Sequence, residues 1–233
     1  MLTDFHSHIL PGIDDGSRSV EQSLAMLAME AQQGIARVVA TPHFYARHDD
    51  PDRFLTRRAS AYEQLCQAME SQSGLPTVEM GAEVRFFSGI SECDALSRLT
   101  IGKKRCILIE MPEVSWTDSM YRELEGIYTK QGLTPIVAHI DRYIRPLNYR
   151  KIFRELEHLP VLVQANTEML LERRLAGIGL RLLREERIQL LGSDCHDLKD
   201  RAPNMGAAVS LIRDKLGASV LERIAGCERR ILE

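Results

Sequence analysis

Short apolar runs recur seven times along this chain, at Leu2–His6, Ala36–His43, Thr77–Glu83, Cys106–Met111, Thr134–His139, Val161–Asn166 and Ile188–Asp194. Each is nearly continuous rather than alternating, which is how a strand reads when both faces of a parallel sheet are covered. Between them the apolar period lengthens to that of a helix. Ser19–Gln33 puts Leu24, Leu27, Ala28 and Ala31 on one stripe and stops before Gly34. Ser19 followed by Gln22 reads as a capping box. Further helices are predicted over Asp52–Glu70, Thr117–Gln131, Leu147–His158, Ile178–Arg187 and Ala202–Leu216. Strands alternating with helices imply a parallel barrel or a doubly wound sheet.

The ends of the runs favour the barrel. They close on residues able to bind a metal: His6 and His8, then His43, Glu83, Glu110, His139, Asn166, and finally Asp194 and His196. A barrel gathers all strand C-termini at one mouth, whereas an open sheet brings together only those flanking its crevice.

In extended chain, residues two apart point the same way, so both imidazoles of His6-Ser7-His8 reach one ion, and Asp194-Cys195-His196 repeats the arrangement. Any one of these residues reads more simply as a satisfied polar side chain. The set does not, because five of the seven histidines stand at or just past a strand end. His48, in a polar loop, and His158, near a helix end, take the simple reading. Glu83 and Glu110 follow apolar runs, where a carboxylate needs a metal or an arginine partner. Asp14-Asp15-Gly16 suits a turn, and one of the two carboxylates is a further metal candidate. Imidazole and carboxylate without thiolate suit Mn, Fe, Zn or Mg.

The 233 residues fit one domain, 1–233, whose 44% hydrophobic content suffices for a core. A net charge of −3, with short basic runs offset by acids, carries no nucleic-acid footprint. No apolar run approaches the ~18 residues that cross a bilayer, so no membrane insertion is expected. No secretory leader is read at Met1–His6, and five cysteines without CxxC spacing suit a cytoplasmic location. No surface stripe marks an oligomer interface.

His6 to Gly16 (HSHILPGIDDG), Ala40-Thr41-Pro42-His43, Gly81-Ala82-Glu83, Ala138-His139 and Gly192-Ser193-Asp194-Cys195-His196 together resemble the PHP (polymerase and histidinol phosphatase) superfamily over the whole chain. The long first motif and Ile109-Glu110-Met111-Pro112 resemble its branch of manganese-dependent bacterial protein-tyrosine phosphatases of capsule and exopolysaccharide operons. The resemblance implies a distorted (β/α)7 TIM-like barrel and a three-metal cluster, Mn2+ first, with Fe, Zn or Mg as alternatives. It implies one ion on His6, His8, Glu83 and Asp194, a second on the shared Glu83 with Glu110 and His139, and a third on Asp15, His43 and His196. The implied partner is a phosphotyrosine protein, the tail of a bacterial tyrosine kinase.

The expected nucleophile is a hydroxide bridging two ions, attacking phosphorus in line. Its leaving group is a phenolate, whose pKa of about 10 lessens the need for a general acid. Arg142 and Arg201 are candidate phosphate clamps, because guanidinium matches two phosphate oxygens, and Asp197 is a candidate proton donor. Cys195 to Arg201 also spells Cys-x5-Arg, the signature of thiol-based tyrosine phosphatases. That loop has no glycine and carries Asp197 and Asp200, which repel phosphate, so the match reads as accidental. Three other readings remain: a PHP phosphatase or phosphodiesterase for a small ester such as histidinol phosphate, a non-catalytic kinase-tail binder, and an amidohydrolase. The last lacks a strand-end lysine to carry a bridging carbamate.

Overall fold

Buried Val, Ile and Leu runs pair in parallel wherever helices cover the outer sheet face. The computed structural model describes residues 2–145 and 147–233. Its strands are β1 (Leu2–Ser7), β2 (Ile35–Ala40), β3 (His43–Phe44), β4 (Thr77–Met80), β5 (Glu83–Arg85), β6 (Cys106–Glu110), β7 (Thr134–Val137), β8 (Leu162–Asn166) and β9 (Leu190–Gly192). The helices are α1 (Val20–Gln32), α2 (Pro51–Met69), α3 (Asp118–Gln131), α4 (Tyr149–Leu156), α5 (Glu168–Leu171), α6 (Ala176–Arg184), α7 (Met205–Leu216) and α8 (Ala218–Leu232).

Two of the predicted strands are broken. The run Ala36–His43 divides at Thr41-Pro42 into β2 and β3, and Thr77–Glu83 divides at Gly81-Ala82 into β4 and β5. The backbone hydrogen bonds continue across both breaks, from Thr41 N to Ser7 O, Gly81 N to Ala40 O and Glu83 N to Pro42 O. Each pair therefore acts as one bent stave. The sheets run β1-β2-β4 and β3-β5-β6-β7-β8-β9, all parallel. Asp194 N donates to His6 O at 2.8 Å and His8 N to Cys195 O at 2.9 Å, which joins the chain after β9 to β1 and closes a curled barrel of seven staves. Gly192 permits that closure, since a Cβ there would lie 2.5 Å from the His6 Cβ.

Alternation divides the core. Val38, Ile107, Ile109, Val137 and Leu191 pack outward against helix residues such as Leu27, Leu124, Ile127 and Ile212. Phe5, Val39, Leu108, Ile136, Ala138 and Leu190 pack together with Cys227, Ile231 and Leu232 of α8. Helix α8 was not foreseen in the sequence, where the last predicted element stops at residue 216. Other helix ends shift by one to three residues. α2 begins at Pro51 under an Asp50 cap, and Pro203 delays α7 to Met205. Ser19 caps α1 as expected, but the Gln22 side chain accepts from Arg18 N rather than completing the box on Ser19 N.

A pair of acids is buried on the outer side of β1. Asp4 accepts from His6 N at 3.1 Å and Ser193 N at 2.8 Å, tying β1 to the end of β9. Beside it Glu30 of α1 is fully buried, and neither of its oxygens meets a protein N–H or O–H. Burial, then the charge of Asp4, pushes the Glu30 carboxyl up to about 10, so it is protonated near neutrality and Asp4 is the neighbour able to accept its proton. The folded chain thus holds a proton that the unfolded chain releases above its ordinary 4.5. This group's contribution to stability is complete below that value and declines as pH climbs toward about 10. Glu30→Gln, which keeps a neutral donor, is expected to flatten the fall in unfolding free energy between roughly pH 6 and 9. Urea titrations at a series of pH values check this; an unchanged slope would assign the fall to another group.

Candidate metal centre

At the mouth of the barrel, four of the five histidine rings are tied at Nδ1 and turn Nε2 inward. His6 Nδ1 meets Gln164 Oε1 at 3.3 Å, His8 Nδ1 meets Asp14 at 2.7 Å, and His139 Nδ1 meets the Tyr143 hydroxyl at 3.1 Å. His196 Nδ1 donates to Asp194 O at 2.9 Å. The free Nε2 atoms of His6 and His8 approach to 3.2 Å, with Glu83 Oε2 at 3.3 and 3.4 Å and Asp194 Oδ1 at 3.5 and 3.4 Å. Such outer partners fix tautomer and orientation, as they do around metal ligands.

Three groupings follow. His6, His8 and Asp194 offer ligand atoms within 4.8 Å of one another, as do His8, Asp15, His43 and His196, and as do His43, Glu83 and Glu110. The second contains the set expected for the third ion, and the first holds three of the four residues expected for the first ion, the fourth, Glu83, reaching both its imidazoles through Oε2. The third grouping differs from expectation: His43 stands with Glu83 and Glu110, while His139 reaches Glu83 through Nε2 and Oε1 at 2.7 Å. His139 and Asp194 adopt φ of 29° and 54°, a conformation that costs energy in a non-glycine residue and concentrates at functional sites.

The two adjacent aspartates divide their tasks. Asp14 accepts from His43 N and Gly16 N while holding His8, and the His8 ring holds its carboxyl down at about 2 against burial. Asp15 is left to face the His43 and His196 Nε2 atoms at 3.5 and 3.4 Å. Gly16 lets this loop fold onto β1, because a Cβ there would lie 2.2 Å from His8 O.

Burial opposes charge on His6, but Glu83 and Asp194 outweigh it and raise its pKa; for His8, burial is outweighed by Asp14, Asp194 and Glu83. Burial likewise opposes ionisation of Glu83 and Asp194, yet the imidazoles hold both carboxyls well below the ordinary range. Burial, then the charge of His8, lowers His196 to about 4, leaving a neutral ring. His196 Nε2, His43 Nδ1 and Glu83 Oε2 are buried without a hydrogen bond; the last two lie 2.9 Å apart but out of line for one. Unsatisfied acceptors converging in a dry mouth are what an oxygen- and nitrogen-liganded cation would satisfy, so the residues fit a metal cluster.

Both predicted arginines are at the mouth. Arg142 and Arg201 approach the same oxygen, Asp194 Oδ2, at 2.5 and 2.9 Å, and Arg142 also lies 3.8 Å from Glu110. Glu110 has the arginine partner considered for it in Arg85, at 3.1 Å, and remains in the metal-capable grouping. Asn166 donates to Asp194 Oδ2, so its place at a strand end serves the carboxylate. Asp197 Oδ1 accepts from the backbone of Lys199, Asp200 and Arg201, which lowers its pKa and makes it a turn anchor, ionised at neutral pH, rather than a ready proton donor. Gln164, Tyr143 and Arg85 carried no signal in the sequence, because each follows or precedes the strand-end pattern rather than ending a run. Cys195 is fully buried on the Asp4–Glu30 side, and burial, then those two acids, raises its thiol well above the usual range. A nucleophilic thiol needs the opposite shift.

Residues 2–230 match the family described as "Capsular polysaccharide synthesis, CpsB/CapC". The chain belongs to that family. It is 28% identical over 234 residues to the tyrosine-protein phosphatase CpsB of Streptococcus pneumoniae, covering 93% of this chain and 92% of that one. To the tyrosine-protein phosphatase YwqE of Bacillus subtilis it is 25% identical over 227 residues, covering 94% and 87%. A crystal structure from work on YwqE and CpsB, described there as "unique metal-dependent tyrosine phosphatases", superposes with a TM-score of 0.85 at 24% identity, covering 99% of this chain and 94% of that one. A phospho-2-dehydro-3-deoxyheptonate aldolase from Thermotoga maritima shares the fold more loosely, with a TM-score of 0.53 at 9% identity, covering 95% and 70%.

Because Cys195 is sealed away from the mouth, Cys195→Ser is expected to bind metal as the parent does and to keep most of any phosphatase activity. Metal content by mass spectrometry and phosphate release check this; lost turnover at full metal content would restore the thiol mechanism.

Proposed function

From membership of the CpsB/CapC family and the geometry of the mouth, we propose that this chain is a metal-dependent protein-tyrosine phosphatase, a phosphoric monoester hydrolase formed by one domain. The observation that carries this reading is the meeting of nine imidazole and carboxylate side chains with two guanidinium groups on one of those carboxylates, Asp194. In this reading His6, His8, Glu83 and Asp194 hold one cation, Glu83, Glu110 and His139 a second, and Asp15, His43 and His196 a third. Manganese is the metal of choice, with Fe, Zn and Mg as the other hard or borderline ions suited to these ligands. Bound there, the cations supply Lewis acidity, lower the pKa of water and offset phosphoryl charge.

The protein's own contribution is positional. Asp14, Gln164 and Tyr143 fix the His8, His6 and His139 rings. Arg142 and Arg201, part-exposed above Asp194, present N–H groups to a phosphate entering from solvent. Tyr143 stays a neutral phenol, since burial and then the charges of Glu110 and Glu83 raise its pKa. A phenolate leaves without needing a strong acid, which agrees with Asp197 being held ionised. The substrate is a phosphotyrosine protein, and a bacterial tyrosine kinase of capsule or exopolysaccharide synthesis, acting at the cytoplasmic side, fits the family description.

The test strips metal with a chelator and follows phosphate release from a phosphotyrosine peptide and from histidinol phosphate. Mn2+ is expected to restore peptide turnover more than Mg2+ or buffer does. Arg142→Ala is expected to lower kcat/KM on the order of 100-fold with metal content intact, and Arg142→Lys to rescue little. Restoration with histidinol phosphate alone would move the chain to small esters, and silence toward both would overturn the phosphatase reading.

A further inference from the structure

The register between β3 and β5 carries the metal-centre face outward. His43 pairs with Glu83 and Phe44 with Val84, so Tyr45 and Arg85 come next on the side of His43 and Glu83. The Tyr45 ring stacks at 5.2 Å on that of His43. Arg85 bonds Glu110 at 3.1 Å, and Phe86 N donates to Glu110 O at 2.8 Å. A cleft of about 490 Å³ opens there, lined by Tyr45, Arg47, Arg85, Phe86 and Phe87 among others. Roughly 150 Å³ suffices to hold benzene in a protein interior.

Two features of this cleft point to its occupant. Phe86 and Phe87 are half-buried and, among the described residues, neither ring has an aromatic partner. Phe44, one strand away, is fully buried against Phe54 at 5.1 Å, the ordinary fate of a core ring. On the opposite flank of the mouth Trp116 is already packed on Tyr121 and Tyr143, at 5.8 and 5.0 Å. The cleft is lined by Arg47 and by Arg85, the latter paired with Glu110, and by no carboxylate, so aromatic rings and guanidinium groups share its wall.

We infer that this cleft holds the aromatic ring of the phosphate ester while the phosphoryl group lies at the metal centre, and that Tyr45, Phe86 and Phe87 thereby select aryl over alkyl phosphomonoesters. The inference rests on the phosphatase reading, since it places an ester at the metal centre. A flat ring gains from offset or edge contact with other rings, and a flexible alkyl chain does not. The cations at the rim add a preference for acidic residues around a phosphotyrosine.

Binding tests the ring site apart from turnover. The probes are benzylphosphonate and propylphosphonate, titrated by calorimetry into the Mn2+-loaded protein, with phosphotyrosine-peptide turnover measured in parallel. Benzylphosphonate is expected to bind on the order of 10-fold more tightly in the parent. That preference is expected to vanish in Phe86→Ala/Phe87→Ala and to shrink in Phe86→Leu/Phe87→Leu, which keeps apolar volume and guards against misfolding. Equal affinities in the parent, or a preference that survives in both variants, would overturn the ring site, whether or not the peptide turns over. A preference lost in the variants, with no peptide turnover in the parent, would keep the ring site and remove the phosphatase reading.

Discussion

Glu83 is a carboxylate almost wholly removed from water, with His6, His43 and His139 within 3.3 Å of its oxygens. Isolated, such a charge would be prohibitive to bury. It is tolerated because imidazoles from three other staves surround it, and it can surround them only if the barrel closes. The same requirement explains the local distortions. β1 bulges between Asp4 and Ser7, β2 and β4 each break before resuming as β3 and β5, and His139 and Asp194 take positive φ. A regular strand would send alternate residues to the helix side. Each irregularity instead lands a polar side chain in the mouth.

This also explains how far the sequence could be read. Strand identity and order followed from apolar runs, and the candidate centre from what ended them, since a set of metal-capable residues closing successive hydrophobic runs is informative where any one of them is not. The breaks at Thr41-Pro42 and Gly81-Ala82 were hidden because the backbone ladder continues through them, and the apolar pattern with it. Helix α8 was hidden for another reason: its apolar residues Cys227, Ile231 and Leu232 join a cluster with strand side chains far away in sequence, and nothing local announces that. The supporting residues were the hardest. Gln164 acts by linking His6, His139 and Asn166, three contacts that exist only after folding.

The Cys-x5-Arg segment shows the limit of a short motif from the other direction. A thiol becomes a nucleophile through exposure and neighbouring positive charge. Cys195 has neither. The backbone bonds that close the barrel through its carbonyl turn its side chain toward Asp4 and Glu30. Arg201, the far end of the motif, faces Asp194 instead. The spacing is met, and the alternation of the strand separates its two ends onto opposite sides of the chain.

The charge of the mouth is arranged in two layers. Below are the carboxylates Glu83, Glu110 and Asp194, nearly buried; above are Arg85 on Glu110, Arg201 on Asp194 and Arg142 on Asp194 and near Glu110, all with access to solvent. The chain as a whole is acidic, at −3 before any cation is bound, and to that extent repels a phosphoprotein at long range. Screening confines that repulsion to about 10 Å or less at physiological salt, and within that distance an incoming phosphate meets guanidinium first. Those arginines are not idle meanwhile, for they neutralise Asp194 and Glu110 from the solvent side. They are available to a substrate anion in the measure that the carboxylates beneath find their counter-charge from below. Ligand density in the lower layer and anion capture in the upper one are therefore coupled through Asp194 and Glu110, carboxylates that face both.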